Sequence, residues 1–574
     1  MRPRTRRQIA ATALLAVTAS VVGIFLGTTA VGAEPQVPAD GRVSVDSNEG
    51  QADDTVNAAA TSTSPDISAD GRFVVFTSRA ADLVAGDTNE TEDVYLRDRL
   101  LGTTERISVD SAEVGANGAS TSPAISDDGR LVVFHSLASN LVASDTNGAF
   151  DIFLRDRQAG TTVKLSSGFQ IFINPHANGS STNADISGNG TVVAFESDAS
   201  NIISGDGNGV RDIFVRTLAT GTVVRASVAN DESESNANSF GAALDQDGDV
   251  VAFQSDASDL IGVNDTNAVR DVYARRLATG TTFRVSVDSN NDQALQPSFV
   301  PSVSDDGLSF AFETDADLVP ADDNGLRDVY VRKPSANQLT YASMDTGGGA
   351  GNGLSSAAVI SGDATRVAFD SEASDLVAAD ANGAGQDVFV RTLTGSPGTV
   401  LYSARPGTVV EGGSEQPVIA DNGIVAFDST ATNLVANDTN GRFDVFVAGE
   451  VCDGRVVDVD LNQGDVPTAN ADVILGTPGA DTVDGLAGAD RFCGGNGDDV
   501  FRGGLGADRA FGGQGSDKLS GDDGKDVLEG NGGNDILKGG AGNDAMKGGT
   551  GLDTCKGQTG TDTASTCETR VGIP

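Results

Sequence analysis

The stretch SPAISDDGRLVVF (residues 122–134), followed by DIFLRD (151–156), decides the fold of most of this chain. An Ile-centred run meets an Asp-Gly turn and a second apolar run, the pattern of a tight β-hairpin. DIFLRD adds a third strand, and a Gly-Thr-Thr turn leads to a fourth, as in RISVDS (106–111) of the preceding copy. One unit therefore consists of four short antiparallel strands.

The unit recurs along the chain. The aspartates that open its third strand lie 57 to 61 residues apart: Asp93, Asp151, Asp212, Asp271, Asp328, Asp387 and Asp444. Alternating apolar residues on both faces require cover on both faces, which neighbouring units supply. Seven four-stranded units without a helical period predict an all-β fold, a seven-bladed β-propeller over residues 34–449.

The last unit ends without its fourth strand. DVFVA (444–448) runs into Cys452, whereas Arg42–Ser47 (RVSVDS) precedes the first unit and matches the fourth strands at 106–111 and 284–289. We expect the N-terminal strand to complete the last blade and close the ring, which removes two exposed sheet edges.

The units resemble those of a known family. SPDISADGRFVVF (64–76) and SPAISDDGRLVVF, each followed by DVYLRD or DIFLRD, are similar to the WD-repeat-like units of TolB-type propellers. The resemblance covers about residues 40–448 and is weaker in the fourth and sixth units. It implies the fold and a setting outside the cytoplasm, but no particular activity.

Residues 1–33 have the features of an export signal. Four arginines precede an apolar run, and Val31-Gly-Ala33 offers small residues for cleavage. An uncleaved anchor is the alternative. After cleavage we expect a secreted, extracellular protein without stable membrane insertion, with association with the cell envelope left open. Four cysteines fit an oxidising compartment.

The formal net charge is -44. Such a chain repels phosphate backbones and anionic lipids, which argues against nucleic acid as a partner. Basic proteins and divalent metal ions remain compatible with it.

A second motif precedes the third strand of every unit, on the rim shared with the loops between blades. Its copies lie at 87–90, 145–148, 206–209, 265–268, 322–325, 380–383 and 438–441; five have the form Asp-x-Asn-Gly, and Glu90 and Ala268 replace the glycine in the other two. The motif is loosely similar to calcium loops in integrin α-chain propellers, but it offers only three or four of the six to eight oxygens that Ca²⁺ wants. The sequence favours a hydrogen-bonded turn with Gly at positive φ, and the calcium interpretation stays open.

One polar position could carry chemistry. The residue after the second-strand Phe is polar in every unit: Thr77, His135, Glu196, Gln254, Glu313, Asp370 and Asp428. If several carboxylates converged in the channel, they could act as acid and base. Hydrogen-bonded strand ends are the simpler interpretation, and the sequence shows no catalytic triad or nucleophile elbow.

From Gly476 the chain consists of ten consecutive nonapeptides with Gly first and Asp sixth. The candidate metal ligands are Asp481, Asp490, Asp499, Asp508, Asp517, Asp526, Asp535, Asp544, Asp553 and Asp562. If two nonapeptides form one coil, alternate aspartates stack about 4.8 Å apart. Such charges repel by roughly 3 kcal/mol per neighbouring pair at an effective dielectric near 20, so a cation must separate them.

The pattern resembles the G-G-x-G-x-D-x-U-x repeat of RTX (haemolysin-type) proteins. That resemblance implies a parallel β-roll over residues 476–574, with a C-terminal cap, that binds several Ca²⁺ ions through these aspartates and turn carbonyls. The inward apolar positions, from Val483 to Ala564, form a thin core, so calcium binding should supply much of the folding energy.

Residues 450–475 are expected to link the domains and cap the roll. The four cysteines flank it and allow three pairings, of which the local ones, Cys452 with Cys493 and Cys555 with Cys567, are favoured.

Together these features predict a secreted calcium-binding protein whose acidic propeller rim binds a protein or glycan ligand. The alternative is an extracellular carbohydrate-active hydrolase or lyase that uses paired carboxylates near the channel.

Overall fold

A computed structural model describes residues 41–52, 61–99, 101–143, 145–168, 176–262, 265–378, 380, 385–394, 398–404, 409–435, 438–449, 451–452, 455–457, 459–461, 466–477 and 479–573. The predicted signal segment, residues 1–33, lies outside these ranges. Among the described residues, no helix combines the length and the apolar character needed to cross a membrane.

Seven antiparallel sheets form the propeller. Blade 1 contains Ser62–Ile67, Phe73–Ser78, Asp93–Asp98 and Thr103–Arg106; blade 2 contains Ser120–Ile125, Leu131–Ser136, Asp151–Asp156 and Thr161–Lys164; blade 3 contains Ser181–Ile186, Val192–Ser197, Asp212–Thr217 and Val223–Arg225; blade 4 contains Ser239–Leu244, Val250–Ser255, Asp271–Arg276 and Thr281–Arg284. Blade 5 contains Ser298–Val303, Phe310–Thr314, Asp328–Lys333 and Gln338–Tyr341, with a 3₁₀ turn at Pro334–Ala336; blade 6 contains Ser355–Ile360, Arg366–Ser371, Asp387–Thr392 and Thr399–Leu401; blade 7 contains Ser414–Ile419, Val425–Ser429 and Asp444–Ala448.

The blades form a closed ring. Within each blade the strands pair in chain order. The first strands of neighbouring blades contact one another all the way round, including those of blades 7 and 1. The first strand is therefore innermost, and the predicted seven-bladed propeller is confirmed.

The N-terminal segment completes blade 7. Val43 N donates to Val445 O at 2.8 Å, and Val447 N donates to Gly41 O at 2.7 Å. Ser44 Oγ donates to Asp444 Oδ1 at 2.5 Å, the bond that Ser108 makes to Asp93 in blade 1. The prediction that this strand closes the ring is confirmed.

Aromatic pairs fill the interior of each blade. The Phe of the second strand faces the aromatic residue of the third, as in Phe76 and Tyr95, whose ring centroids lie 6.0 Å apart. The apolar clusters extend from one blade to the next, so that Val74 and Phe76 of blade 1 pack in the same cluster as Val445 of blade 7. Both faces of each sheet are thus covered by neighbouring blades.

The C-terminal part is a β-roll of two parallel sheets. Sheet A contains Val459–Asp460, Val473–Leu475, Arg491–Asn496, Arg509–Gln514, Val527–Gly532, Ala545–Thr550 and Thr563–Ser565; sheet B contains Thr482–Asp484, Val500–Leu505, Lys518–Asp523, Ile536–Ala541, Thr554–Thr559 and Thr569–Val571. A hairpin of Val451–Cys452 and Arg455–Val456 precedes them.

The inward positions form one core between the two sheets, as predicted, and the core extends back to Val459 and Ile474. Parallel pairing therefore starts before residue 476, where the nonapeptide pattern begins. The disulfides are Cys452–Cys493 and Cys555–Cys567, which are the local pairings that were favoured.

Candidate functional site

The asparagine of the Asp-x-Asn-Gly motif fastens the rim loop. In blade 1, Asn89 Nδ2 donates to Asp93 Oδ2 and to Ala116 O, both at 2.8 Å, and Asn89 Oδ1 accepts from Thr91 N at 3.0 Å. Corresponding Nδ2 bonds occur in blades 2, 3, 4, 5 and 7. Because these amides are used in holding the turn, the geometry supports the turn interpretation over a calcium loop.

Basic side chains of the same blade neutralise the aspartates around this loop. In blade 1, the guanidinium of Arg106 lies 3.3 Å from Asp87 and 3.8 Å from Asp93. The fourth strands of blades 2, 3, 4 and 7 supply the equivalent cations, which are Lys164, Arg225, Arg284 and Arg42. A protein side chain therefore holds the position that a metal ion would need in these blades.

Blade 5 departs from this arrangement because Tyr341 occupies the cation's position. The Tyr341 hydroxyl donates to Asp328 Oδ1 at 2.9 Å, and the Tyr330 hydroxyl donates to Asp322. The side chains of Asp322 and Asp328 are both buried, with exposed fractions of 3% and 0%. Burial raises the pKa of Asp322 to about 7, and the charge of Asp328 adds to the effect. Burial raises the pKa of Asp328 as well, so that one proton shared by the pair would take the place of the missing cation.

The polar position after the second-strand Phe joins neighbouring blades. Glu196 accepts from Gly241 N at 3.2 Å, and Glu313 accepts from Ala357 N at 3.0 Å. His135, Gln254 and Asp370 make the same contact with the next blade. These side chains are hydrogen-bonded strand ends, which was the simpler of the two interpretations.

Burial and neighbouring charge perturb several members of this row. Burial raises the pKa of Asp428 to about 8, with Glu415 contributing, and raises the pKa of Glu313 to about 7. Burial lowers the pKa of His135 to about 4. These shifts follow from enclosure between blades, and each acceptor described above faces a main-chain donor rather than a second carboxyl group.

The donors in this row were missed by sequence reasoning. The five donors described above, Asn183, Gly241, Val300, Ala357 and Gln416, are each the third residue of a first strand, where the register shifts and φ is positive. Ser64 and Ser122 have the same conformation in blades 1 and 2. Only one of the seven is glycine, so composition gives no signal for the bulge. The recurrence of one extra residue in an otherwise alternating strand is the only trace it leaves in the sequence.

The repeat aspartates of the roll stack along its two edges. From Asp481 to Asp544, the main-chain N of each donates to Oδ1 of the aspartate 18 residues later, for example Asp490 to Asp508 at 2.9 Å and Asp499 to Asp517 at 2.8 Å. The second oxygen, Oδ2, is buried and accepts no hydrogen bond within the described residues in Asp499, Asp508, Asp517, Asp526, Asp535, Asp544, Asp553 and Asp562. These eight buried oxygen atoms are therefore candidate ligands for a cation.

The first glycine of each repeat leaves space for these oxygens. A Cβ added to Gly503 would lie 2.1 Å from Asp508 Oδ2 and 2.8 Å from Gly521 O. A carboxylate oxygen and a carbonyl oxygen of the next coil thus meet at the same turn, and an alanine methyl would collide with the carboxylate. Hard oxygen donors of these two kinds are the ligands that Ca²⁺ takes in proteins.

The raised pKa values of the repeat aspartates also indicate a site for a cation. Burial raises the pKa of Asp517 to about 7, and the charges of Asp535 and Asp499 add to it. Burial likewise raises the pKa of Asp526 to about 6, with contributions from Asp508 and Asp544. In the described chain no three His, Cys, Asp or Glu side chains gather at a possible metal site, so the roll would hold Ca²⁺ through single carboxylates and main-chain carbonyls.

The first coil differs from the others. Thr477 donates to both oxygens of Asp481, through N at 2.7 Å and Oγ1 at 2.9 Å, and Thr468 does the same for Asp472. Both oxygens of Asp481, a predicted ligand, thereby accept hydrogen bonds from Thr477, whereas the aspartates from Asp499 onward accept one through Oδ1 alone within the described residues. At the opposite end, Glu568 accepts from Asp553 N at 2.7 Å, so that a glutamate ends the stack.

An acidic cleft of about 730 Å³ opens beside blade 5. It lies between the loop that enters blade 5 and the loop between the second and third strands of that blade. Its lining includes Asp292, Asp315, Asp317 and the exposed Leu295. Leu318, also in the lining, donates its main-chain N to the Tyr330 hydroxyl, which links the cleft to the buried Asp322 and Asp328 pair.

Comparison with solved structures returned propellers. The β-propeller domain of the Trilobed protease from Pyrococcus furiosus is 11% identical with a TM-score of 0.40, covering 69% of this chain and 99% of that one. TolB from Acinetobacter baumannii is 13% identical with a TM-score of 0.32, covering 70% and 88%. A putative TolB from Agrobacterium tumefaciens is 14% identical with a TM-score of 0.31, covering 49% and 80%.

No curated protein matches the chain. The family described as RTX calcium-binding nonapeptide repeat matches in four copies, at residues 468–501, 494–528, 502–537 and 529–564. The residues matched include the coil that begins before Gly476 and the stacked aspartates with their buried Oδ2 atoms. The C-terminal roll is thus built from RTX calcium-binding nonapeptide repeats, and Ca²⁺ is its ligand.

Proposed function

We propose that this chain is a secreted calcium-binding protein whose roll folds on calcium outside the cell and whose propeller binds a basic segment of another protein. Calcium is scarce in the cytoplasm and abundant outside, so a roll that depends on it would fold only after export. The two disulfides that flank the roll fit the same oxidising compartment. Association with the cell envelope would follow from the identity of the ligand.

The acidic cleft beside blade 5 is the observation that carries the propeller's part of the proposal. The first aspartate of the Asp-x-Asn-Gly loop is paired with an internal arginine in blades 1, 3, 4 and 7, as Asp87 is with Arg106. Asp292 and Asp317 are exposed, and they lie near the one described carboxyl pair in which a tyrosine replaces the cation. A Lys or Arg side chain would find there a negative site with an apolar neighbour, Leu295.

The enzymatic alternative gains no support from the channel. Glu196, Glu313 and Asp370 accept main-chain hydrogen bonds from the following blade, so their carboxylates hold the ring together. A hydrolase would need an acid and a base that face a substrate across open space.

Binding of a short Lys- and Arg-rich peptide to the full-length protein, followed by fluorescence anisotropy, tests the proposal. Replacing Asp292→Asn and Asp317→Asn together should weaken binding about ten-fold, because both charges face the cleft. Asp231→Asn, an exposed aspartate of another inter-blade loop, is the matched control and should change affinity less than about two-fold. Equal affinities for all variants, or tighter binding of a neutral oligosaccharide, would refute the proposed ligand.

A further inference from the structure

The lysines of this acidic chain are concentrated in the roll. Five of the seven lie there: Lys518, Lys525, Lys538, Lys547 and Lys556. The propeller, by contrast, uses its arginines and Lys164 mostly inside the blades or in ion pairs. Within the roll, Arg502, Lys518 and Lys538 are exposed and belong to none of the ion pairs found among the described residues.

The outward side of sheet B gathers four of these cations. Arg502, Lys518, Lys538 and Lys556 alternate with the inward core residues of the same strands, and we call them the basic face. Arg502, Lys518 and Lys538 are exposed and Lys556 is half-buried. The parallel register places Lys538 directly beside Lys556.

The two sheets differ in whether their basic side chains have partners. On sheet A, Lys547 pairs with Glu529 at 2.9 Å, and Arg509 lies 5.7 Å from the ring of Phe511. None of the ion pairs found within the described ranges involves a residue of the basic face. The nearest acids by register are Asp484, beside Arg502, and Asp522 and Asp523 at the end of a strand. Like charges on paired positions destabilise a sheet, so the basic face has a cost that an anionic ligand would remove.

Calcium binding changes the net charge around the basic face from negative to positive. Residues 476–574 contain 16 Asp and Glu against nine Lys and Arg, and ten of the 16 are the repeat aspartates. Once Ca²⁺ neutralises the eight whose Oδ2 atoms are buried without a hydrogen bond, the remaining eight acids are outnumbered by nine bases. The field around the basic face is then positive, and attraction of an anion becomes conditional on calcium.

We propose that the basic face of the calcium-loaded roll binds a linear anionic polysaccharide. Arg502, Lys538 and Lys556 lie in one row along the roll axis, two strands and then one strand apart at a strand spacing of about 4.8 Å, and such a row suits the repeating charges of an extended polymer. The face presents no aromatic side chain, since Phe501 points inward and the chain has no Trp. It therefore lacks the groups that stack on bases or anchor in a bilayer interface.

The test measures binding of dextran sulfate to the full-length protein, with neutral dextran as the reference polymer. Binding is expected in calcium and should be lost in EGTA. Lys538→Gln with Lys556→Gln should weaken binding about ten-fold in calcium, because two adjacent charges disappear. Lys547→Gln, which removes the paired lysine of sheet A, should change it less than about two-fold.

Circular dichroism in calcium, run on every variant, shows whether each roll has folded and so separates a failure of calcium-dependent folding from a failure of polymer binding. Equal binding of neutral dextran, equal binding in EGTA, or an effect of Lys547→Gln as large as that of the double variant would overturn the proposal. Tighter binding to phosphatidylserine vesicles than to dextran sulfate would overturn the choice of a polysaccharide.

Discussion

At the scale of single residues, the fourth strand of each blade decides how two buried aspartates are compensated. Replacing Tyr341→Arg should give blade 5 the cation that Arg284 provides in blade 4. In the native chain the Asp322 and Asp328 pair keeps a proton in the folded state that the unfolded state releases above about pH 4. Because folding raises the pKa of Asp322, the bound proton stabilises the folded state fully at low pH. This contribution to the free energy of unfolding is lost as pH rises through about 7.

The Tyr341→Arg variant should therefore be more stable than the native chain at pH 8.5, by about 1 kcal/mol, and should show little gain at pH 5. Denaturant midpoints of the propeller transition at both pH values measure this. The matched control is Arg284→Tyr, which should create the same pH dependence in blade 4 beside Asp265 and Asp271. A difference between native chain and Tyr341→Arg that does not vary with pH would contradict the shared proton.

At the scale of elements, ring closure depends on one short N-terminal strand. A chain that begins at residue 49 lacks the strand next to Asp444–Ala448, including Val43 and Val45, which are 2% and 3% exposed. Losing those two buried side chains and leaving a blade edge open should cost about 3 to 5 kcal/mol. Thermal melts of this chain against one that begins at residue 41 measure the loss; equal melting temperatures would exclude closure by this strand.

The sequence predicted such elements well because their signals are local. Asp-Gly turns mark the hairpins, and a period of nine marks the roll, so both folds could be predicted from neighbouring residues. The contacts between blades could not, because Glu313 meets Ala357 across 44 residues and the donor sits in a bulge without glycine. The parallel pairing before residue 476 carries no nonapeptide signal either, since Thr468 and Thr477 stand where several later repeats have a glycine, while Asp472 N still donates to Asp490 Oδ1.

At the scale of the whole molecule, the negative charge of buried aspartates is compensated in two different ways. The propeller supplies its own cations, such as Arg106 and Arg225, whereas eight buried Oδ2 atoms of the roll accept no hydrogen bond within the described residues, and we propose that calcium binds them. Removing calcium should therefore act on the roll alone. In differential scanning calorimetry of the full-length protein, EGTA should abolish the transition of the roll and shift that of the propeller by less than about 2 °C. The physical reason is that a ligand stabilises only the state that binds it, and the two domains do not share this ligand.

The Gly503→Ala substitution tests the roll independently of the propeller, because the added methyl group would lie 2.1 Å from Asp508 Oδ2. This substitution should raise the calcium concentration needed for the roll's gain of β signal in circular dichroism while leaving the propeller transition unchanged. Magnesium serves as the control, since its demand for a small octahedral site fits single carboxylates and turn carbonyls poorly, and it should not replace calcium. A propeller that melts with the roll on addition of EGTA would mean that its internal arginines do not suffice and that calcium stabilises both domains.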